Sequence, residues 1–327
     1  MKYRKLGKTE ICISTIGFGC WGIGGNSYGE VDDKESIRAL NLAFEKGINF
    51  FDTADLYGNG HSETILAHAL GYNRKNIVIA SKGGTLPHTG FNMPQDFSIK
   101  YLKSVFEKSL VRLDTDYIDL YQLHSPMLSD LVNSEEVFAY FAKLKKNGTI
   151  RAFGISVRSP EDGLEVLAKY PVDTIQVNYN MIDQRASECG LFREVLEKDV
   201  GIIIRTPLVF GFLTGTLTGG EKFKKGIDHR ANWPKEQLKR WASAYILFDN
   251  LARKRNITSV QLALLFCLSE CTASSVIPGM LNTQQVNENA VAGDMSVLSK
   301  KELTIIREIY NNNIFYDNHS KLKGILQ

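Results

Sequence analysis

Short apolar runs rich in Val, Ile, Phe and Tyr alternate along the chain with longer stretches in which apolar residues recur every three or four positions, from about residue 15 to about residue 290. Eight such runs lie at residues 15–19, 48–52, 77–81, 117–123, 150–155, 174–177, 201–204 and 275–277. Their brevity and β-branched content predict strands, and the spacing between them predicts amphipathic helices. Ser98 reads as an N-cap ahead of the stripe Ile99, Leu102, Phe106, Leu110 and Leu113. A second helix opens at Ser134, buries Val137, Phe138, Phe141 and Leu144, and stops at Asn147-Gly148. Leu238, Trp241, Tyr245 and Phe248 form another stripe, and Thr258 with Gln261 form a capping box.

Strand-then-helix repeats imply a parallel sheet, and eight of them close naturally into a barrel where an open doubly wound sheet uses five or six. The expected fold is therefore α/β, a (β/α)8 TIM barrel. Residues 3–13 read as a β-hairpin plugging its N-terminal end, a helical tail closes the sequence, and no Pro/Gly/Ser-rich linker divides the units. We expect one barrel domain over residues 1–327, with the irregular segment 211–233 as a loop for ligand closure.

Composition narrows the function classes. Hydrophobic residues make up 43% and charged residues 23%, enough for a full core. The 39 basic and 36 acidic residues are interspersed, which gives nucleic-acid or membrane binding no support. The opening residues lack an apolar signal region, and the longest apolar stretch, residues 200–213, contains Arg205, so a cytoplasmic protein is expected. The five cysteines include no Cys-x-x-Cys pair and are expected to be reduced and buried; no His-Glu-x-x-His occurs, and no metal site is expected.

Barrel active sites lie where the C-terminal ends of the strands converge. Three successive runs end in polar groups: Asp52 followed by Tyr57, then Lys82, then His124. A buried Lys82 ammonium needs a carboxylate partner, and Asp52 on the neighbouring strand is one. A phenol beside Lys82 is expected to have its pKa lowered, making Tyr57 a proton donor to a carbonyl oxygen that His124 also holds. Each residue alone has a structural explanation, as a helix cap, a packing aromatic or a core histidine. Their coincidence on adjacent strand ends favours a site.

The chain resembles the aldo-keto reductases. The likeness lies in Asp52-Thr-Ala-x-x-Tyr57-Gly, Ser62-Glu63, Ser81-Lys82, Leu123-His124, Gly154-Ile-Ser156, Gln176-Val-Asn178-Tyr-Asn180, Thr206-Pro207-Leu208 with Gly211-x-Leu213-Thr-Gly215, and Ile277-Pro-Gly279 leading to Gln285 and Glu288-Asn289. It implies a barrel binding extended NADP(H), NAD not being excluded, with Tyr57 as general acid/base, Lys82 and Asp52 supporting it, and His124 orienting the carbonyl or alcohol substrate. It also implies Trp21 beside the site, Asp52 among the cofactor contacts, and Ser156 and Gln176 holding the carboxamide. Arg205, Thr206, Pro207, Leu208, Gly211, Leu213 and Gly215 would follow the nicotinamide and pyrophosphate, and Gly279, Gln285, Glu288 and Asn289 the adenosine end. The sequence departs from the family at Val157, where an amide is usual, at Arg205, where an aromatic is usual, and at Thr216 and Leu281, where basic residues are common. Arg230 is the candidate for the 2′-phosphate in their place, with Lys222, Lys224 and Lys225 nearby.

Gly17-Phe-Gly19-Cys-Trp-Gly22 matches a dinucleotide fingerprint in spacing, but no helix follows at once, so it reads as the first barrel loop. Two other functions compete: a Schiff-base aldolase using Lys82, and a cofactor-sensing barrel subunit of the kind attached to potassium channels. Substrate choice is expected to lie in loops 83–97, 125–132 and 211–233 and in the C-terminal tail; Phe91, Met93, Phe97 and Phe210 suggest apolar walls, while Lys222, Lys224, Lys225 and Arg230 suit cofactor phosphate or an anionic substrate.

Overall fold

The computed structural model describes residues 1–25, 27–87 and 94–316, so Phe91 and Met93 lie outside the described residues. The hairpin is present as β1 (Tyr3–Lys5) and β2 (Cys12–Ser14), paired antiparallel. Eight parallel strands follow: β3 (Phe18–Gly19), β4 (Phe50–Asp52), β5 (Val78–Gly83), β6 (Ile118–His124), β7 (Ile150–Ser156), β8 (Thr174–Asn178), β9 (Gly201–Arg205) and β10 (Ala273–Ile277). They are hydrogen-bonded in chain order. The first and last meet through parallel bridges Ile16↔Val276 and Gly19↔Gly279, with Gly17 N donating to Val276 O at 2.9 Å. The expected (β/α)8 barrel is therefore formed.

Helices α1 (Asp33–Glu45), α2 (His61–Leu70), α3 (Ile99–Arg112), α4 (Glu135–Lys146) and α5 (Pro160–Lys169) each follow one strand of β3 to β7. After β8 come α6 (Arg185–Glu188) and α7 (Leu191–Glu197), after β9 α8 (Lys235–Arg255) and α9 (Ser259–Leu268), and after β10 the tail helices α10 (Thr283–Ala292) and α11 (Lys300–Asn311). The caps form as the residue types require: the Ser98 side chain accepts from Tyr101 N, and Thr258 and Gln261 make the reciprocal capping box. At Ser134 the hydroxyl instead donates to Leu131 O, so α4 starts there without a side-chain cap.

Strand alternation separates two apolar cores. Phe50, Val78, Ala80, Leu120, Ala152, Ile203 and Ile277 point inward and meet Leu6, Ile11 and Ile13 of the hairpin, closing the N-terminal end. The opposite strand faces pack on the helices, with Phe51, Tyr121, Phe141 and Phe153 among the buried side chains.

Two expectations need correction. Cys20 and Cys267 are buried, but Cys12 and Cys271 are exposed and Cys189 is half-buried, because these three occupy the hairpin and helix ends rather than apolar faces. The segment 211–233 is not irregular throughout: it contains short 3-10 turns within Val209–Thr214 and His229–Asn232. Among the described residues no helix is long and apolar enough to cross a membrane.

Candidate active site

Three neighbouring strand ends bring the expected chemistry together. Asp52 ends β4 and pairs in register with Ala80, Lys82 lies near the end of β5 opposite Gln122, and His124 ends β6 opposite Ser156. Tyr57 sits in the turn after β4, where Tyr57 N donates to Ala54 O at 3.1 Å. That turn passes so close to the first barrel loop that a Cβ at Gly58 (φ +61) would stand 2.0 Å from Gly24 O, so only glycine fits. Thr53 and Ser62 hydroxyls meet at 2.9 Å and Ser62 donates to Cys20 O at 3.0 Å, tying the turn to the neighbouring strand end.

The Lys82 ammonium donates to Asp52 Oδ1 at 2.5 Å, to Thr53 O at 2.8 Å and to the Tyr57 hydroxyl at 3.3 Å. Burial pulls its pKa down, but Asp52 and Tyr57 outweigh burial and hold it above the ordinary lysine value, so Lys82 stays charged. Asp52 also accepts from Gln176 Nε2 at 2.7 Å and from Gln122 Nε2 at 3.5 Å. The His124 ring stands edge-on to Tyr57, 5.8 Å between centroids.

The expected sign of the Tyr57 shift is overturned. Burial raises the phenol above its usual value; Lys82 and Arg205 oppose that rise without cancelling it, and Asp52 adds to it. The neighbouring cation is real, but desolvation of the phenolate is the larger effect.

Asp52, Tyr57 and His124 floor a cavity of about 1400 Å³ at the C-terminal ends of the strands, with Lys82 fully buried behind them. Trp21, Ser156, Gln176, Arg205, Thr206, Pro207, Leu208, Gly211, Arg230, Gly279, Gln285, Glu288 and Asn289 all line it, as do Asp52, Tyr57 and His124. Lys82, fully buried, does not, and neither do two of the expected cofactor residues. Leu213 is buried in the outer core, and a Cβ on Gly215 would meet the Tyr245 ring at 3.0 Å, because the 3-10 turn rotates both away from the cavity.

Several lining residues hold contacts that their types alone did not foretell. Gln176 spends its amide nitrogen on Asp52 and takes a hydrogen bond from Ser156 Oγ at 3.4 Å. Arg205 donates to Asn178 Oδ1 at 2.6 Å and to Val157 O at 3.0 Å, so the backbone of Val157 serves where its side chain has no polar atom. Arg230 is already forked onto Asp228, with Nε to Oδ1 at 2.9 Å and a terminal nitrogen to Oδ2 at 2.6 Å, and lies over the Phe223 ring at 4.4 Å. Thr216 bonds Thr214, and Leu281 packs as an apolar wall near Gly22.

The loop after β9 crosses the mouth. Tyr28 bridges Asp228, and His229 N donates to Ser27 O at 2.9 Å. The His229 ring then lies 4.6 Å from Trp21 and 4.8 Å from Phe210. Burial lowers its pKa to about 3, so this imidazole is neutral near pH 7. Sequence reasoning missed Gln122 and Asn178, which lie two residues before His124 and two after Gln176 and so share their inward faces; period-two counting along these strands finds both. Tyr28 and His229 carried no periodic signal, since they belong to loops joined only in the fold. Behind the site, the buried Glu63 accepts from Ser81 at 2.5 Å and Arg112 at 2.6 Å, and Asp55 beside it is pushed up to about 7 by burial and by Glu63. Among the described residues no His, Cys, Asp and Glu cluster could hold a metal ion.

Comparison with known proteins gives the family of the fold. The Aldo/keto reductase family model matches residues 15–311. An uncharacterized oxidoreductase of Bacillus subtilis, YqkF, is 30% identical over 96% of this chain and 98% of its own length. An Escherichia coli protein named NADH-specific methylglyoxal reductase is 32% identical over 94% of this chain and 98% of its own. The solved holo structure of aldo-keto reductase AKR11C1 from Bacillus halodurans superposes with a TM-score of 0.78 at 31% identity, covering 98% of this chain and 99% of that one. With three neighbouring strand ends, their cavity and a family match spanning most of the sequence in agreement, the chain belongs to the aldo/keto reductase family, a family of oxidoreductases acting on carbonyl substrates.

Proposed function

We propose that this chain, folded as one barrel domain, is an NADPH-dependent reductase of small aldehydes or ketones, working in the cytoplasm, with Tyr57 as its general acid and, in reverse, its base. The observation that carries this reading is the chain Asp52–Lys82–Tyr57, with Lys82 2.5 Å from the carboxylate and 3.3 Å from the phenol, whose two ends Asp52 and Tyr57 line a cavity of about 1400 Å³. That volume exceeds the roughly 300–1,000 Å³ usual for a drug-sized ligand and suits an extended dinucleotide with a substrate. A Cβ on Gly279 would meet nothing within 4 Å, leaving open space at the far end. Thr206, Val209 and Phe210 hold left-handed φ of 59°, 48° and 57°, a strain that binding segments commonly carry.

When bound, the nicotinamide supplies the hydride. Ser156 and Gln176 would hold its carboxamide end beside Arg205, residues 206–208 and Gly211 its phosphates, and Gly279, Gln285, Glu288 and Asn289 the adenosine end. Tyr57 hydrogen-bonds the carbonyl oxygen and gives up its proton as negative charge gathers there. Burial holds the phenol above its ordinary pKa, so near neutral pH it carries the proton that reduction uses. Lys82 remains positive against Asp52 and stabilises the phenolate that forms. His124, at the same end of the cavity, fixes the oxygen's position.

A panel of aldehydes and ketones with NADPH and with NADH, followed by loss of the reduced cofactor's absorbance, tests the reading. Tyr57→Phe is expected to lose about 10²-fold or more in kcat while binding cofactor normally. Turnover within tenfold of the parent would remove Tyr57 from the acid role. Cofactor binding without turnover of any carbonyl would favour the sensing-subunit function, and borohydride trapping of substrate on Lys82 without cofactor would favour the aldolase. A pairing of Lys82 with Asp52 this close speaks against the free amine an aldolase needs.

A further inference from the structure

Two cations lie at this end of the barrel, Lys82 buried behind Asp52 and Tyr57 and Arg205 lining the cavity, and among the described residues a carboxylate pairs with only the first. Lys82 is paired with Asp52 at 2.5 Å. Arg205, at the end of β9, is held by an amide oxygen, Asn178 Oδ1 at 2.6 Å, and by a backbone carbonyl, Val157 O at 3.0 Å, both uncharged. The carboxylates that act on it from farther away are Asp183 and Asp52, and each already has its own partner, Arg185 at 2.8 Å and Lys82 at 2.5 Å. Arg230, on the loop above, is matched by Asp228 at 2.6 Å. Among the described residues Arg205 therefore has no carboxylate of its own; two hydrogen bonds fix it, and it lines the cavity beside Ser156, Gln176 and Tyr57. Such a group is costly to keep in a partly desolvated place, and burial indeed lowers its proton affinity, though a guanidinium stays charged.

We propose that Arg205 is a redox discriminator: its unmatched charge makes the protein bind a reduced, neutral nicotinamide more tightly than an oxidised, cationic one. The inference rests on the oxidoreductase reading above and goes beyond it. Like charges separated by one ring's thickness in a medium of effective dielectric near 20 repel strongly enough to shift an affinity ratio by about tenfold or more. A cation here also opposes positive charge on the ring during hydride loss, so its benefit lies in exchange: the spent cofactor leaves and the reduced one replaces it.

The test is calorimetric, without turnover. Dissociation constants of NADPH and NADP+, and of NADH and NAD+, are measured for the parent, Arg205→Met, Arg205→Lys and Asn178→Asp. The oxidised-to-reduced ratio of constants is expected to fall about tenfold in Arg205→Met and to persist in Arg205→Lys. Asn178→Asp keeps Arg205 but puts a carboxylate against it, and should collapse the ratio as Arg205→Met does. If Arg205→Met does not fold, Asn178→Asp carries the test alone. A ratio in these two variants within about twofold of the parent's overturns the assignment of Arg205 while leaving the oxidoreductase reading intact. Failure of the parent to bind any of the four nucleotides overturns that reading and this inference together.

Discussion

At the scale of single residues, the site is governed by which effect on a buried group is larger. Tyr57 lies between burial, which raises its pKa, and Lys82 and Arg205, which lower it, and burial prevails. In the proposed reaction, reduction needs the protonated phenol and is lost only as pH rises through this raised value. The pH profile of kcat for carbonyl reduction is therefore expected to stay flat from neutral pH to about 10, and a descending limb near pH 8 absent from Tyr57→Phe would contradict it. Asp55 shows the same competition without function attached. Burial and Glu63 raise it to about 7 from an ordinary value of 3.8. A carboxyl whose folded pKa is raised adds stability below its unfolded pKa, and that stability is lost as pH rises through the folded value. Asp55→Asn should therefore match the parent near pH 4 and exceed it by roughly 2 kcal/mol at pH 8, allowing for relaxation around the charge. Urea denaturation of both proteins at the two pH values decides this, and an equal difference at both would show that Asp55 does not titrate in this window.

At the scale of elements, strands and their ends were legible and loops were not. Alternating apolar runs located all eight barrel strands, and Asp52, Lys82 and His124 stood out because each interrupts such a run at its C-terminal end. Tyr57 was legible as the phenol that follows Asp52 in sequence, but the tight turn at Gly58 that places it was not. What the pattern could not carry was the direction in which the turn after β9 faces its residues: Leu213 and Gly215 rotate into the body of the protein, while His229 swings over to Trp21, 4.6 Å between ring centroids. Nor could it supply the sign of the Tyr57 shift, which depends on how much protein surrounds the phenol. Arg230 belongs to this loop, and its fork on Asp228 makes its phosphate role conditional on exchanging one anion for another. Arg230→Ala is expected to weaken NADPH about tenfold and leave NADH nearly unchanged. Equal weakening of both in kcat/KM would make the residue a strut of the loop and no phosphate ligand.

At the scale of the whole molecule, stability and chemistry sit at opposite ends of the barrel. The groups proposed to react lie at the C-terminal ends of β4, β5 and β6, whereas the N-terminal end is sealed by the hairpin. Leu6, Ile11 and Ile13 enter the barrel against Phe50, Val78, Leu120 and Ile203, and Leu6 is fully buried. Arg4 fastens the plug from outside, its guanidinium donating to Leu268 O at 3.0 Å and to Ala273 O at 2.5 Å. Leu6 fills space where even a Cβ on Gly201 would stand 2.7 Å from its Cδ1, so its neighbours cannot close in easily once it is gone. Leu6→Ala should then leave a cavity and cost about 2–5 kcal/mol of stability. The active site, built on the far ends of the same strands, should not register the loss: kcat and KM are expected to remain within about twofold of the parent at temperatures where the variant is folded. The check is urea denaturation beside steady-state kinetics on the same preparation. A fall in kcat that tracks the loss of stability would show that strain at the plug reaches Lys82 and Asp52 along the strands, and that the two ends are not independent.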